Sequence, residues 1–102
     1  MDPIRPEAAL LQALLKGDSY GLELIDRVKE ATKGKLVLRQ ATIYPGLRSM
    51  ESEGLLRSYE GEPLPERGGR PRRYYQITAK GRRAAIQDAQ TVAGLFGVLV
   101  PT

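Results

Sequence analysis

Apolar residues recur along this chain at two periods, and the change from one to the other divides it. From Pro6 to Thr32 the spacing is helical. Leu10, Leu11, Leu14 and Leu15 form one stripe. Leu24, Ile25, Val28 and Ala31 form a second, with Glu23, Asp26, Arg27, Lys29 and Glu30 outside it. Pro6 and Glu7 suit a first turn, Gly17 can adopt the left-handed conformation that ends a helix, and Asp18 or Ser19 can cap the next one. Lys33, Gly34 and Lys35 break the second helix, and Leu36 to Leu38 is a short apolar link with room for one strand-like rung. A third helix is predicted from a Thr42 cap to Gly54. Pro45 dictates that start, because proline is tolerated in a first turn, where its missing N–H would have no intrahelical partner. Ile43, Leu47 and Met50 share the inner face of this helix.

The period then shortens to two. Leu55 to Glu60 and Arg72 to Ile77 carry the alternation and the tyrosines of half-buried strands, and the Gly- and Pro-rich stretch from Gly61 to Pro71 makes them a hairpin with a long tip. Helical spacing returns after Thr78, a good N-cap, where Ala85, Ala89, Val92, Ala93, Phe96 and Leu99 follow the four-and-three rhythm of a helix–helix seam. Nothing upstream needs that stripe, so a second copy of the chain is its expected partner. Gly94 and Gly97 weaken the helix. The fold class is therefore mainly α with a small β-hairpin. A chain of 102 residues buries only a thin core, which independently favours pairing.

Composition narrows the chemistry. The chain has neither cysteine nor histidine, which removes disulfides, thiolate chemistry, most zinc sites and the usual proton-transfer group near neutral pH. No metal, cofactor or catalytic residue is expected, and Glu51, Glu53 and Glu60 read as solvated, unpaired carboxylates. The N-terminus has acids and prolines where an export signal would have a basic start and an apolar run, and Val92 to Val100 is less than half the ~20 residues a membrane-spanning helix needs. A cytoplasmic protein with no membrane partner is expected. Net charge is +4, and Arg67, Arg70, Arg72, Arg73, Lys80, Arg82 and Arg83 follow one another without an intervening acid.

A helix with an exposed face, followed by a basic hairpin, reads as a recognition helix and a wing with DNA as partner. Gln40, Thr42, Tyr44, Pro45 and Arg48 are then the candidates for base-edge and phosphate contact. Thr42 can cap and contact at once, and Tyr44 could instead fill a gap beneath the helix. Gly68, Gly69 and Pro71 let the tip approach a backbone closely, with Arg67, Arg70 and Arg72 supplying charge to phosphates or a narrow minor groove. Tyr20, placed in the first turn of the second helix, could donate to a phosphate or pack on the first helix. Arg39 is a further phosphate candidate, whereas Lys33, Lys35, Lys80, Arg82 and Arg83 read as wet surface.

The same residues resemble a known family, the PadR-like bacterial transcriptional regulators. The likeness runs through Leu10-Leu-Gln-Ala-Leu-Leu-Lys-Gly17, Ser19-Tyr-Gly21, Ala41-Thr-Ile-Tyr-Pro-Gly-Leu47, Glu53-Gly-Leu55 and Gly69-Arg-Pro-Arg-Arg-Tyr-Tyr-Gln-Ile-Thr-Ala-Lys-Gly81. It implies a winged helix-turn-helix domain over residues 1–78 and a C-terminal dimerisation helix over 79–102, the short branch with one such helix. It also implies a homodimeric repressor on a pseudo-palindromic operator, released by a small-molecule effector or another signal. Leu22 stands where a second aromatic often follows the Tyr-Gly pair. The chain also lacks tryptophan, on which drug-responsive members stack flat ligands, so no effector is carried over. If a flat ligand binds, Phe96 would be its aromatic wall. The alternative of another class is a winged-helix module that binds an acidic protein surface.

Overall fold

Leucines at helical spacing draw three helices around one core, and a small sheet closes its open side. A computed structural model describes residues 5–63, 65, 68–69 and 71–96, the last nine by backbone alone. The order is α1 (Pro6–Leu14), β1 (Ser19–Tyr20), α2 (Gly21–Ala31), α3 (Gln40–Ser52), β2 (Leu56–Pro63), β3 (Pro71–Ile77) and α4 (Ala79–Phe96). Leu10, Leu14, Leu24, Ile43, Leu47 and Met50 are fully buried where α1, α2 and α3 meet. Leu56, Tyr75 and Ile77 bring the sheet onto the same core.

Polar groups tie the helix ends. The Arg27 guanidinium donates to the Gly17 carbonyl at 3.0 Å, supplying a partner just beyond the end of α1, and pairs with Glu23 at 3.1 Å. At the end of α2, the Lys33 N–H donates to Glu30 and the Gly34 N–H to Lys29, with Lys33 in the left-handed region at φ 54°. The end of α3 repeats this pattern with Gly54 at φ 80°, and there Lys80 Nζ also donates to the Glu53 carbonyl at 2.7 Å. Thr78 caps α4 as expected, its hydroxyl oxygen accepting the Gly81 N–H at 3.0 Å.

Four expectations change. Asp18 and Ser19 do not cap α2. Ser19 and Tyr20 instead form a third strand, β1, so Tyr20 lies just ahead of α2 and not in its first turn. The sheet order is β1-β3-β2, all antiparallel, with Ser19 opposite Tyr75 and Tyr20 opposite Tyr74. Helix α3 begins at Gln40, with Arg39 in the N-cap position, so Thr42 is not the cap and Pro45 lies inside the helix. Pro45 cannot donate to the Ala41 carbonyl, and both residues are exposed. Leu36 to Leu38 forms no strand, although Leu38 is buried. Finally, Ala85 is fully buried in the chain's own core, and its carbonyl accepts from Gln12 Nε2 at 2.7 Å. It is not a free member of an external seam. Leu99 and the side chains of Ala89, Val92, Ala93 and Phe96 lie outside the described residues.

Candidate nucleic-acid interface

Burying Ile43, Leu47 and Met50 fixes the rotation of α3, and the rest of the helix is presented outward. Gln40, Ala41, Thr42, Pro45, Arg48 and Ser49 are exposed, as is Arg39 just before them. Tyr44 is half-buried, its ring so close over Gly21 that a Cβ there would stand 2.6 Å from the hydroxyl and 2.7 Å from Cε1. The ring thus packs α3 against the start of α2. The candidates Arg39, Gln40, Thr42, Pro45 and Arg48 share one accessible surface, and Tyr44 sits at its buried margin.

Strand alternation sorts the wing. Residues of β3 point alternately to two faces, and buried Tyr75 and Ile77 identify the inner one. Arg73 belongs to that inner face, Arg72 to the outer. Cross-strand register puts Tyr20, Tyr74 and Tyr59 in one row on the outer face. Tyr59 stacks on Tyr74 at 5.6 Å between centroids, and Tyr20 meets Tyr74 edge-on at 5.6 Å. The Arg72 guanidinium lies 4.3 Å over the Tyr20 ring, with its Nε buried and unpartnered among the described residues. Tyr20 and Arg72, two of the residues the sequence offers for DNA contact, hold each other on the outer sheet face. At its margin Asp18 accepts from the Tyr59 hydroxyl at 2.6 Å, and this bond, more than desolvation, raises the Tyr59 pKa from its ordinary value of 10.0.

On the inner face, α3 and β3 border a groove of about 540 Å³ lined by Tyr44, Arg48, Glu51, Pro71, Arg73 and Tyr75. Its far wall is built by hydrogen bonds. Ser58 Oγ donates to Glu51 Oε2 at 2.6 Å and accepts from Arg73 Nη1 at 3.0 Å. Glu51 and Glu60 are therefore not the unpaired carboxylates the sequence suggests, since Glu60 also lies 4.0 Å from Arg73. Burial raises the Tyr75 pKa, with Arg73 opposing the shift. Sequence reasoning missed Arg73. The period-two pattern of β3, phased on Tyr75 and Ile77, contains the signal for it. Arg67 and Arg70, the other wing candidates, lie outside the described residues.

Among the described residues no helix is long and apolar enough to cross a membrane, and no cluster of acids has the makings of a metal site. The fold is shared with solved structures. A transcriptional regulator from Clostridium thermocellum aligns with TM-score 0.77 and 28% identity, covering 91% of this chain and 84% of that one. A PadR family transcription regulator from Clostridium difficile aligns with TM-score 0.75 and 28% identity, covering 91% and 92%. Bacillus subtilis PadR, solved in complex with operator DNA, shares the fold at TM-score 0.71 and 23% identity over 84% of this chain and 46% of its own. In sequence, an uncharacterised protein of Lysinibacillus sphaericus is 28% identical over 76 residues, 74% of this chain and 67% of that protein. Residues 10–87 match the transcriptional regulator PadR-like family, from the leucine stripe of α1 to the first turns of α4, and the chain belongs to that family.

Proposed function

We propose that this regulator binds double-stranded DNA in a sequence-specific manner, with α3 in the major groove and the β2–β3 wing on the flanking backbone or minor groove. The observation that carries this reading is the outward surface of α3, where Arg39, Gln40, Thr42, Pro45 and Arg48 stand exposed together while the opposite face is locked into the core. Gln40 can pair bidentately with adenine, and Thr42 or Pro45 can pack on a thymine methyl, while Arg48 at the edge of the same surface can reach the backbone. The operator complex of Bacillus subtilis PadR supports this use of the fold.

The protein acts in the cytoplasm as a homodimer, residues 79–102 pairing two copies. Two α3 helices then reach successive major grooves of a pseudo-palindromic operator, about 34–36 Å apart. It represses transcription and is released by a small molecule or another signal. Fluorescence anisotropy of the purified chain tests the reading, with the duplex upstream of its own gene set against a scrambled duplex across a salt series. Tighter binding to the first, weakening steeply with salt, is the expected result. Equal affinity for both duplexes counts against specific recognition of that site, and absence of binding at every salt concentration counts against DNA as partner.

A further inference from the structure

We propose that the groove between α3 and β3 seats one phosphodiester group of duplex DNA, gripped by Arg48 from the recognition helix and Arg73 from the wing. The assignment rests on the DNA-binding reading above. Arg48 is exposed and makes no hydrogen bond or ion pair among the described residues. Arg73 also lines the groove, with Nη1 donating to Ser58 and Nη2 only loosely paired with Glu60 at 4.0 Å, which leaves N–H donors for a ligand.

Charge fits a single diester. Two guanidiniums and the Glu51 carboxylate line the groove, with Glu60 outside the lining and 4.0 Å from Arg73, so the seat offers at most one net positive charge against the one negative charge of a backbone phosphate. A terminal phosphate or a diphosphate would be under-compensated. Glu51 does not compete for the seat directly, because its Oε2 accepts from Ser58 at 2.6 Å, and through Ser58 it holds Arg73 in place. Glu51 and Ser58 are thus positioning residues. Tyr75 adds a donor. Only 4% exposed, it lines the groove and has no hydrogen-bond partner among the described residues. Burial keeps its phenol protonated well into alkaline solution.

Arg72 has no part in the seat, since it is stacked on Tyr20 on the opposite face of the sheet. The two neighbouring arginines therefore differ in kind, one a strut and the other a ligand-binding group.

Salt dependence separates the roles. For full-length protein on a random-sequence duplex, the slope of log K against log salt should fall by about one for Arg48→Ala and about one for Arg73→Ala. The double variant should lose no more than about one, because both side chains address the same phosphate. Arg72→Ala should keep the wild-type slope, and Tyr75→Phe should weaken binding roughly fivefold without changing it. If circular dichroism shows Arg73→Ala to be unfolded, Arg73→Gln removes the charge while still donating to Ser58, and the same loss of slope is expected. A wild-type slope in a folded Arg73 variant overturns the proposal and leaves DNA binding intact. A loss of about two in the double variant overturns the shared seat. Failure of the wild-type protein to bind any duplex removes both the seat and the reading beneath it.

Discussion

Gly46 and Gly81 both lie in helices, and replacing each with alanine should move stability in opposite directions. A Cβ on Gly46 would meet Glu7 Oε1 at 3.8 Å, Glu7 Cγ at 3.9 Å and Leu10 Cδ1 at 4.0 Å, all ordinary contacts. Gly46→Ala therefore keeps the helix-propensity gain of about 1 kcal/mol. A Cβ on Gly81 would collide with the Leu55 carbonyl oxygen and stand 2.7 Å from Ile77 Cγ1. That carbonyl cannot easily yield, because it accepts the Thr78 N–H at 3.0 Å and shares the Thr78 hydroxyl, also at 3.0 Å, with the Gly54 carbonyl at 2.7 Å. Overpacking costs about 1–3 kcal/mol, and a doubly held backbone atom belongs at the upper end. Subtracting the same helix gain leaves a net loss of about 2 kcal/mol for Gly81→Ala. In a domain of this size 1 kcal/mol moves Tm by about 4–8 °C, so thermal melts at one fixed protein concentration should show Gly46→Ala up by about that much and Gly81→Ala down by roughly twice as much. A Gly81→Ala protein that melts at or above wild type would refute the seating of α4 on the Leu55–Thr78 junction. A Gly46→Ala protein that melts below wild type would refute the spacing of α1 and α3.

Two further predictions rest on single local geometries. Lys33 is the described non-glycine residue with positive φ, at 54°, so Lys33→Gly should raise stability by about 0.5–1 kcal/mol in urea titrations while Lys33→Ala should not. Tyr59 has its pKa raised above 10.0 chiefly by donating to Asp18, so its contribution to stability is complete below pH 10 and is lost as pH rises through the folded-state value. Ultraviolet titration of the phenols should show Tyr59 ionising at lower pH in Asp18→Ala than in wild type, and an unshifted curve would exclude the Asp18 bond as the cause.

The parts of the fold legible in the sequence were those fixed by local chemistry. The stripe of α1, the stop at Gly54 and the Thr78 cap each follow from residues within one or two turns of one another. Strand β1 does not. A Ser just ahead of a helical run has the composition of a cap, and only its pairing with Tyr75, far along the chain, draws it out into a strand. The start of α3 at Gln40 escapes the sequence pattern for a related reason. The rule confining proline to a first turn assumes that the carbonyl it orphans is costly, and here that carbonyl belongs to Ala41, an exposed residue where water is a ready substitute partner.

For the site, helix periodicity was enough to sort α3, because three buried residues fix its rotation and therefore every exposed neighbour. The wing needed one more fact. Arg72 and Arg73 are indistinguishable by composition and charge, and counting arginines near a glycine-rich tip favours both equally. Their difference lies in the phase of a two-residue period, which Tyr75 and Ile77 set by turning toward the core. Once that phase is fixed, Arg72 must share a face with Tyr74 and Tyr20, and Arg73 must share one with Ser58 and the end of α3. A one-residue slip in β3 would exchange the two roles, placing Arg72 in the groove and Arg73 on the tyrosines. The register that buries Tyr75 is therefore also what decides which arginine meets the recognition helix.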